Sequence, residues 1–305
     1  MALNKKVGLT VIAAAIIGAG VWFGGNYFLS NKIETEAKAY IAKNNLEEHI
    51  KWESVEGRLN KKAIFHQVTL SGMTPKETLH IEQLEVNDYD KSDDRFLLDI
   101  DLKGITDYQK QPIISSAEEL QPGITLESLG ITDIPLLNSH IKIKQDSPSN
   151  YVTIDIGLNQ EKVIDVEFAI DMKNTNTLID AVREQSNELS PLRVLGFASS
   201  MAVGEVSIQF KDKGAIATNA KKNPELIPPK QECLDNLEAL HLPHADTYCD
   251  AIVKYFSGDA STIMVSAKPQ KPYPVVKLID DWRKIQIMPY MIPDVIEKLN
   301  IKVSN

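Results

Sequence analysis

The residues best equipped for chemistry in this 305-residue chain are its two cysteines, Cys233 and Cys249, with His241 and His244 between them. The spacing, Cys-x7-His-x2-His-x4-Cys, admits three states. In an oxidising compartment an even pair of thiols joins as a disulfide, here closing a loop of about 15 residues and contributing about 3 kcal/mol in the chain-entropy model. Reduced, the two are buried free thiols. With both histidines they make four ligands for zinc, in a spacing that matches no common zinc module. The disulfide is the expected state.

Carboxylates offer two further constellations. Asp88, Asp90, Ser92 and Asp94 place oxygens at alternate positions, and Asp99 follows Asp88 by eleven residues, which reproduces part of an EF-hand loop. The sixth position is Asp93 where that loop needs glycine, the twelfth is Asp where it needs Glu, and the flanks read as strands. A solvated hairpin tip is therefore expected. Asp155, Asp165, Glu167 and Asp171 fall on the polar faces of long strands; two of them could serve as a glycosidase pair, but a wet sheet face requires such residues anyway. His49, His66, His80 and His140 stand singly and read as surface or packing residues. No Gly-x-Ser-x-Gly elbow, Gly-x-Gly-x-x-Gly loop, Walker loop or His-Glu-x-x-His motif occurs. With no nucleophile beside a base, the expectation is a protein without catalysis, cofactor or metal.

The elements that carry these groups are mostly strands. Val152, Ile154, Ile156 and Leu158 alternate with polar residues, as do Ile164, Val166, Phe168, Ile170 and Met172, and residues 159–162 read as the hairpin connection between the two runs. Further strands are expected at 50–55, 63–71, 79–86, 95–102, 139–144, 203–210, 262–267 and 300–303. Helices are expected at 30–48, 174–188, 212–222, 231–240, 245–256, 275–284 and 293–298, with a short one near 116–120 in the loop-rich 104–139 and another across 192–202. Groups of strands followed by helices give an α+β fold: an antiparallel, β-rich meander with C-terminal helices. If its long strands curl into an open groove, Val152, Ile154, Ile156, Val166, Phe168 and Ile170 would meet acyl chains; if helices cover that face, it is an ordinary core.

Residues 7–29 carry no charge and, as a helix of about 1.5 Å per residue, reach about 34 Å, enough to cross a hydrocarbon core of about 30 Å. Lys5 and Lys6 precede the run, and Trp22, Tyr27 and Phe28 sit at its far end, suited to a membrane interface. The expected order is a cytoplasmic tail (1–6), a transmembrane anchor (7–29), a juxtamembrane helix (30–48), a β-rich region (49–210) and a helical hairpin with terminal strands (211–305). Gly18, Ala19 and Gly20 permit the rival reading of a cleaved signal peptide, against which the apolar run continues through Val21, Trp22 and Phe23. A net charge of −9 excludes a nucleic-acid partner and makes anionic headgroups poor partners for the body as a whole.

The head of the chain, Lys5-Lys6, an apolar helix, Trp22-Phe-Gly-Gly-Asn-Tyr27 and a charged helix leading to a strand at Trp52, resembles the bacterial single-pass, inner-membrane-anchored envelope proteins of unknown function. The tail is similar too, in residues 206–214, 267–269 and 299–305. Strand–turn–strand units such as 52–70 resemble those of AsmA-like proteins, although this chain is shorter than they usually are. The resemblance implies a periplasmic, β-rich body on an inner-membrane anchor, with no catalytic residue to carry over. An envelope protein or a phospholipid would be its partner, the latter held in an apolar groove.

Overall fold

The computed structural model describes residues 30–43, 46–57, 62–72, 74–92, 95–117, 119–121, 124–146, 150–175 and 199–305. The anchor expected at 7–29, with Lys5, Lys6, Trp22, Tyr27 and Phe28, lies outside the described residues, as do nearly all of the helices expected at 174–188 and 192–202. Among the described residues no helix is long and apolar enough to cross a membrane.

The first described element is α1 (Ser30–Lys43). Ile33, Ala37 and Ile41 recur every four residues and are all buried, while Glu34 pairs with Lys38 on the outer face at 2.7 Å. The chain then enters a 12-stranded antiparallel sheet. Its strands are β1 (Ile50–Lys51), β2 (Ser54–Gly57), β3 (Ala63–Leu70), β4 (Leu79–Ser92) and β5 (Arg95–Thr106), then β8 (Leu137–Asp146), β9 (Tyr151–Gln160), β10 (Ile164–Lys173), β11 (Ala202–Asp212), β12 (Thr262–Ala267), β13 (Tyr273–Pro274) and β14 (Ile301–Ser304). The spatial order β1-β3-β4-β5-β8-β9-β10-β11-β12-β14 follows the chain, with β2 beside β3 and β13 beside β11. The small ribbon β6 (Glu119–Gln121) and β7 (Ile124–Thr125) stands apart. The short helix expected near 116–120 is thus a turn and a strand: a segment of a few residues has no helical stability of its own, so tertiary pairing decides its state.

Strict alternation explains why the sheet forms. In β5, Phe96, Leu98, Ile100 and Leu102 are buried on one face, while Asp99, Asp101 and Lys103 take the other. The same apolar face carries Phe65 of β3, Leu84 of β4 and Ile141 of β8, and α1 covers it, giving the main core. Each such side chain, fully buried, contributes about 1.5–3 kcal/mol. The strands are bent where the pattern slips. Gly104 has φ +68° and the register shifts between Leu102 and Ile105, while Gln67 of β3 has φ +53°. These irregularities let Ile81 and Leu84, an odd number of residues apart, both face inward.

The C-terminal helices are α2 (Ala215–Lys222), α3 (Lys230–Ala239), α4 (Ala245–Phe256), α5 (Val275–Ile287) and α6 (Ile292–Leu299). Cys233 of α3 and the fully buried Cys249 of α4 form a disulfide, with Cα atoms 5.8 Å apart. The sulfurs are therefore bonded to each other and not available as zinc thiolates. His241 and His244 belong to the left-handed turn between the helices. α5 and α6 gather Tyr273, Leu278, Ile285, Val295 and Leu299 over Ala267 and Ile301 at the far flank of the sheet. Asn300, at φ +48°, ends α6 and turns the chain into β14. The buried carboxylate of Asp281 accepts a hydrogen bond from the hydroxyl of Tyr273, tying α5 to β13.

Candidate functional site

The two faces of the sheet differ in chemistry because side chains alternate across it, and each face forms one surface where registers align. On the polar face lies a groove of about 640 Å³ spanning β5 to β11. One row across it is Asp101, His140, Gly157, Glu167 and Gln209, each opposite the next in register. The neighbouring row is Asp99, Lys142, Asp155, Ala169 and Ser207. Gly157 and Ala169 leave the floor low. A Cβ at Gly157 would meet nothing closer than the His140 Cβ at 3.8 Å, so the backbone permits a side chain there.

One wall is a bonded network. Asp101 Oδ1 lies 2.8 Å from His140 Nδ1, and an ionised carboxylate can only accept, so the histidine donates there. Asn87 Nδ2 donates to Asp101 Oδ2 at 2.7 Å, and Lys142 pairs with Asp99 at 3.0 Å. Burial pushes the Asp101 carboxyl up, but hydrogen bonds from Asn87 and His140 and the charges of His140 and Lys103 outweigh it and hold it below the usual range. Glu85, nearly buried beside the groove, behaves alike: burial raises it, and Lys62 and Lys103, at 3.1 and 3.2 Å, bring it below its ordinary value. On the far side, Lys213 pairs with Asp165 at 3.3 Å, and Asp171 is engaged by Tyr151, whose hydroxyl is raised by burial and by that carboxylate. Asp155 and Glu167 are exposed and have no ion pair or hydrogen bond among the described residues.

The arrangement is not a hydrolytic triad. His140 and Ser207 stand on β8 and β11, three inter-strand steps or about 14 Å apart. Asp155 and Glu167 sit diagonally on adjacent strands, about 7 Å apart at Cβ. A glycosidase acid needs an apolar setting to keep its proton, and both of these carboxylates face water. Among the described residues no group of three or more His, Cys, Asp or Glu could hold a metal ion. Asp88–Ser92 and Arg95–Asp99 pair as antiparallel strands, Asp88 opposite Asp99, where an EF-hand has helices. His49 bonds to the Ser71 carbonyl, His66 faces Glu56, and His80 bonds to Thr69.

The opposite face is apolar. Ile156, Phe168, Ile208, Val265 and Val303 form one row, and Ile154, Ile170, Val206, Ala267 and Ile301 the next. Val152 is fully part of the main core, and Ile154 and Ile156 pack against it. Val166, Phe168 and Ile170 are half-buried. Gly157, Ser207 and Gln209 carry no motif; the one available signal was a glycine at a polar-face position of the strand 151–158.

A scan against protein-family models and a search of curated proteins found no match to this chain.

Proposed function

We propose that the protein is a single-pass, membrane-tethered envelope protein of the bacterial inner membrane, N-terminus cytoplasmic and body periplasmic, that works by binding a partner and not by catalysis. The likeness of 5–52 and 206–305 to anchored envelope proteins supports the location. Residues 7–29 form the tether, and α1 begins directly after them. The observation that carries the binding role is the pair Asp155 and Glu167. Among the described residues they have no partner, beside a low floor of Gly157 and Ala169, while Asp99, Asp101, Asp165 and Asp171 around them are all engaged. Such a groove suits a partner that brings cationic or amide donors.

The test is a photo-reactive amino acid placed at Ser207 in the groove, and for comparison at Lys222 on α2, in the full chain in its host membrane. A discrete adduct from Ser207 alone is expected. Equal yields, or none from the groove, would refute the reading.

A second reading, lipid handling of the AsmA-like kind, draws on the apolar rows through Phe168 and Ile208, whose side chains are only half-buried. Native mass spectrometry with lipid extraction on the full chain decides between them: near-stoichiometric phospholipid, lost on Phe168→Asp, would favour the lipid reading.

A further inference from the structure

We propose that α5 and the turn after it are a second bilayer contact, lying in the headgroup region of a membrane that contains anionic phospholipid. The inference rests on the anchoring reading of residues 7–29.

Three observations lead there. The first is exposure. Trp282, Ile287 and Tyr290 are 62%, 79% and 73% exposed, and Val276 and Ile279 are exposed with them. Other exposed large hydrophobic residues, among those described, are spread over several elements. A cluster of tryptophan, tyrosine and aliphatic side chains on one short amphipathic helix and the turn after it is the composition that settles at a lipid–water interface.

The second is charge. Residues 268–291 hold five basic side chains, Lys268, Lys271, Lys277, Arg283 and Lys284, against two acidic ones, Asp280 and Asp281, in a chain of net charge −9. Asp281 is buried beneath Tyr273, which leaves the exposed balance more basic still. Lys284 pairs with Asp280 and Lys268 with Glu205, while no ion pair is formed by Lys271, Lys277 or Arg283 among the described residues. Anionic headgroups complement this segment although they do not complement the body as a whole.

The third is placement. Ile33, four residues past the apolar run, is already 3% exposed in the main core. Four helical residues span about 6 Å, so the body is held against the bilayer from its first turn. α1 ends near Ile50, which pairs with Leu70, and packs back along β2, where Gly57 pairs with Ala63. Its N-terminus thus points toward the end of the strands where β11 and β14 begin. Tyr273 and Pro274 pair with Val203 and Ala202 at that same end, and α5 starts from them. The anchor and α5 therefore leave corresponding strand ends on the two flanks of the sheet.

The experiment uses the full chain with Trp22→Phe, reconstituted into vesicles of phosphatidylcholine and phosphatidylglycerol with and without brominated acyl chains. Trp52, half-buried against the main core, is the internal reference. The expected result is co-flotation with the vesicles, a blue-shifted Trp282 emission, and quenching by brominated lipid that disappears on Trp282→Phe. Flotation with unshifted, unquenched emission overturns this inference alone. A blue shift without quenching also overturns it, because protein, a second copy or another chain, then covers the helix. Failure to float overturns the anchor reading and this one together.

Discussion

The contact between Tyr273 and Asp281 makes a local and measurable demand on the structure. Asp281 is 4% exposed and its carboxylate accepts a hydrogen bond from the Tyr273 hydroxyl. Removing that donor with Tyr273→Phe leaves a charged acceptor in a nearly dry site and keeps the ring packed. A hydrogen bond to a charged group is worth about 1.5–3 kcal/mol. The loss should fall on α5, which this bond ties to β13, and not on the core around Leu98. Amide hydrogen exchange of the detergent-solubilised full chain reads the difference segment by segment: 1.5–3 kcal/mol corresponds to about 10- to 150-fold faster opening. Exchange across 275–287 is expected to accelerate by that factor, with β4 and β5 unchanged. Replacing Asp281 by Asn removes the charge and keeps an acceptor, so Tyr273→Phe in that background should cost less, the coupling being at least about 0.5 kcal/mol. Unaltered exchange in α5, or equal costs in both backgrounds, would refute the argument.

Four other outcomes are expected. Replacing both Cys233 and Cys249 by alanine should lower the stability of the α3–α4 hairpin by about 3 kcal/mol, seen as faster exchange there and reproduced by reductant. Burial, with the Asp281 bond at Tyr273 and the Asp212 charge at Tyr255, pushes both hydroxyls up to about 12. A raised tyrosine stabilises the fold fully below the unfolded value of about 10, so stability should fall as pH rises from about 10 to 12, by up to about 3 kcal/mol for each ring; absorbance of tyrosinate during an alkaline titration follows it, and Tyr273→Phe should flatten the curve. Gly104→Ala should cost about 1–2 kcal/mol in thermal unfolding, since φ is +68° and the new Cβ would meet the Glu82 side chain. Gly157→Val should leave the melting temperature nearly unchanged, because the site is open, yet abolish the Ser207 adduct by filling the groove floor.

The parts of the fold legible in the sequence were those with a sustained period. The runs 151–158 and 163–172 show alternation over eight or more residues, and they pair in the structure through a turn at 161–163. Cys233 and Cys249 were legible because only two cysteines exist. β4 runs on to Ser92, past the expected 86, held by continued pairing with β5, but its register shifts between Val86 and Asp88 and only Tyr89 beyond the shift is apolar and buried. The strand therefore continues while its hydrophobic alternation changes phase and thins. Nor was the groove legible. Asp101, His140, Glu167 and Gln209 come from four strands with no fixed spacing, and only the accumulated register of five strands sets them in a row. The exposed stripe of α5 was hidden for a different reason: periodicity reports which residues share a face and is silent on whether a neighbour covers it.

The order of the main sheet also governs how it comes apart. Its ladders join strands in their order along the chain, directly in β3–β5 and β8–β10 and across longer excursions at 107–136, 174–201, 213–261 and 268–300. The direct hairpins close short loops, so β3–β5 and β8–β10 can each form without waiting for distant sequence, while β11, β12 and β14 join across longer loops. Held at its N-terminus and drawn from its C-terminus, it would yield by unzipping, one ladder at a time. β14, four residues long and bonded on one side to β12, would release first. The disulfide between α3 and α4 lies between β11 and β12 in the chain and limits the slack freed by the next step, the release of β12 from β11. The layer around Leu98 and Ile100 lies several ladders further in and would be the last to feel the load.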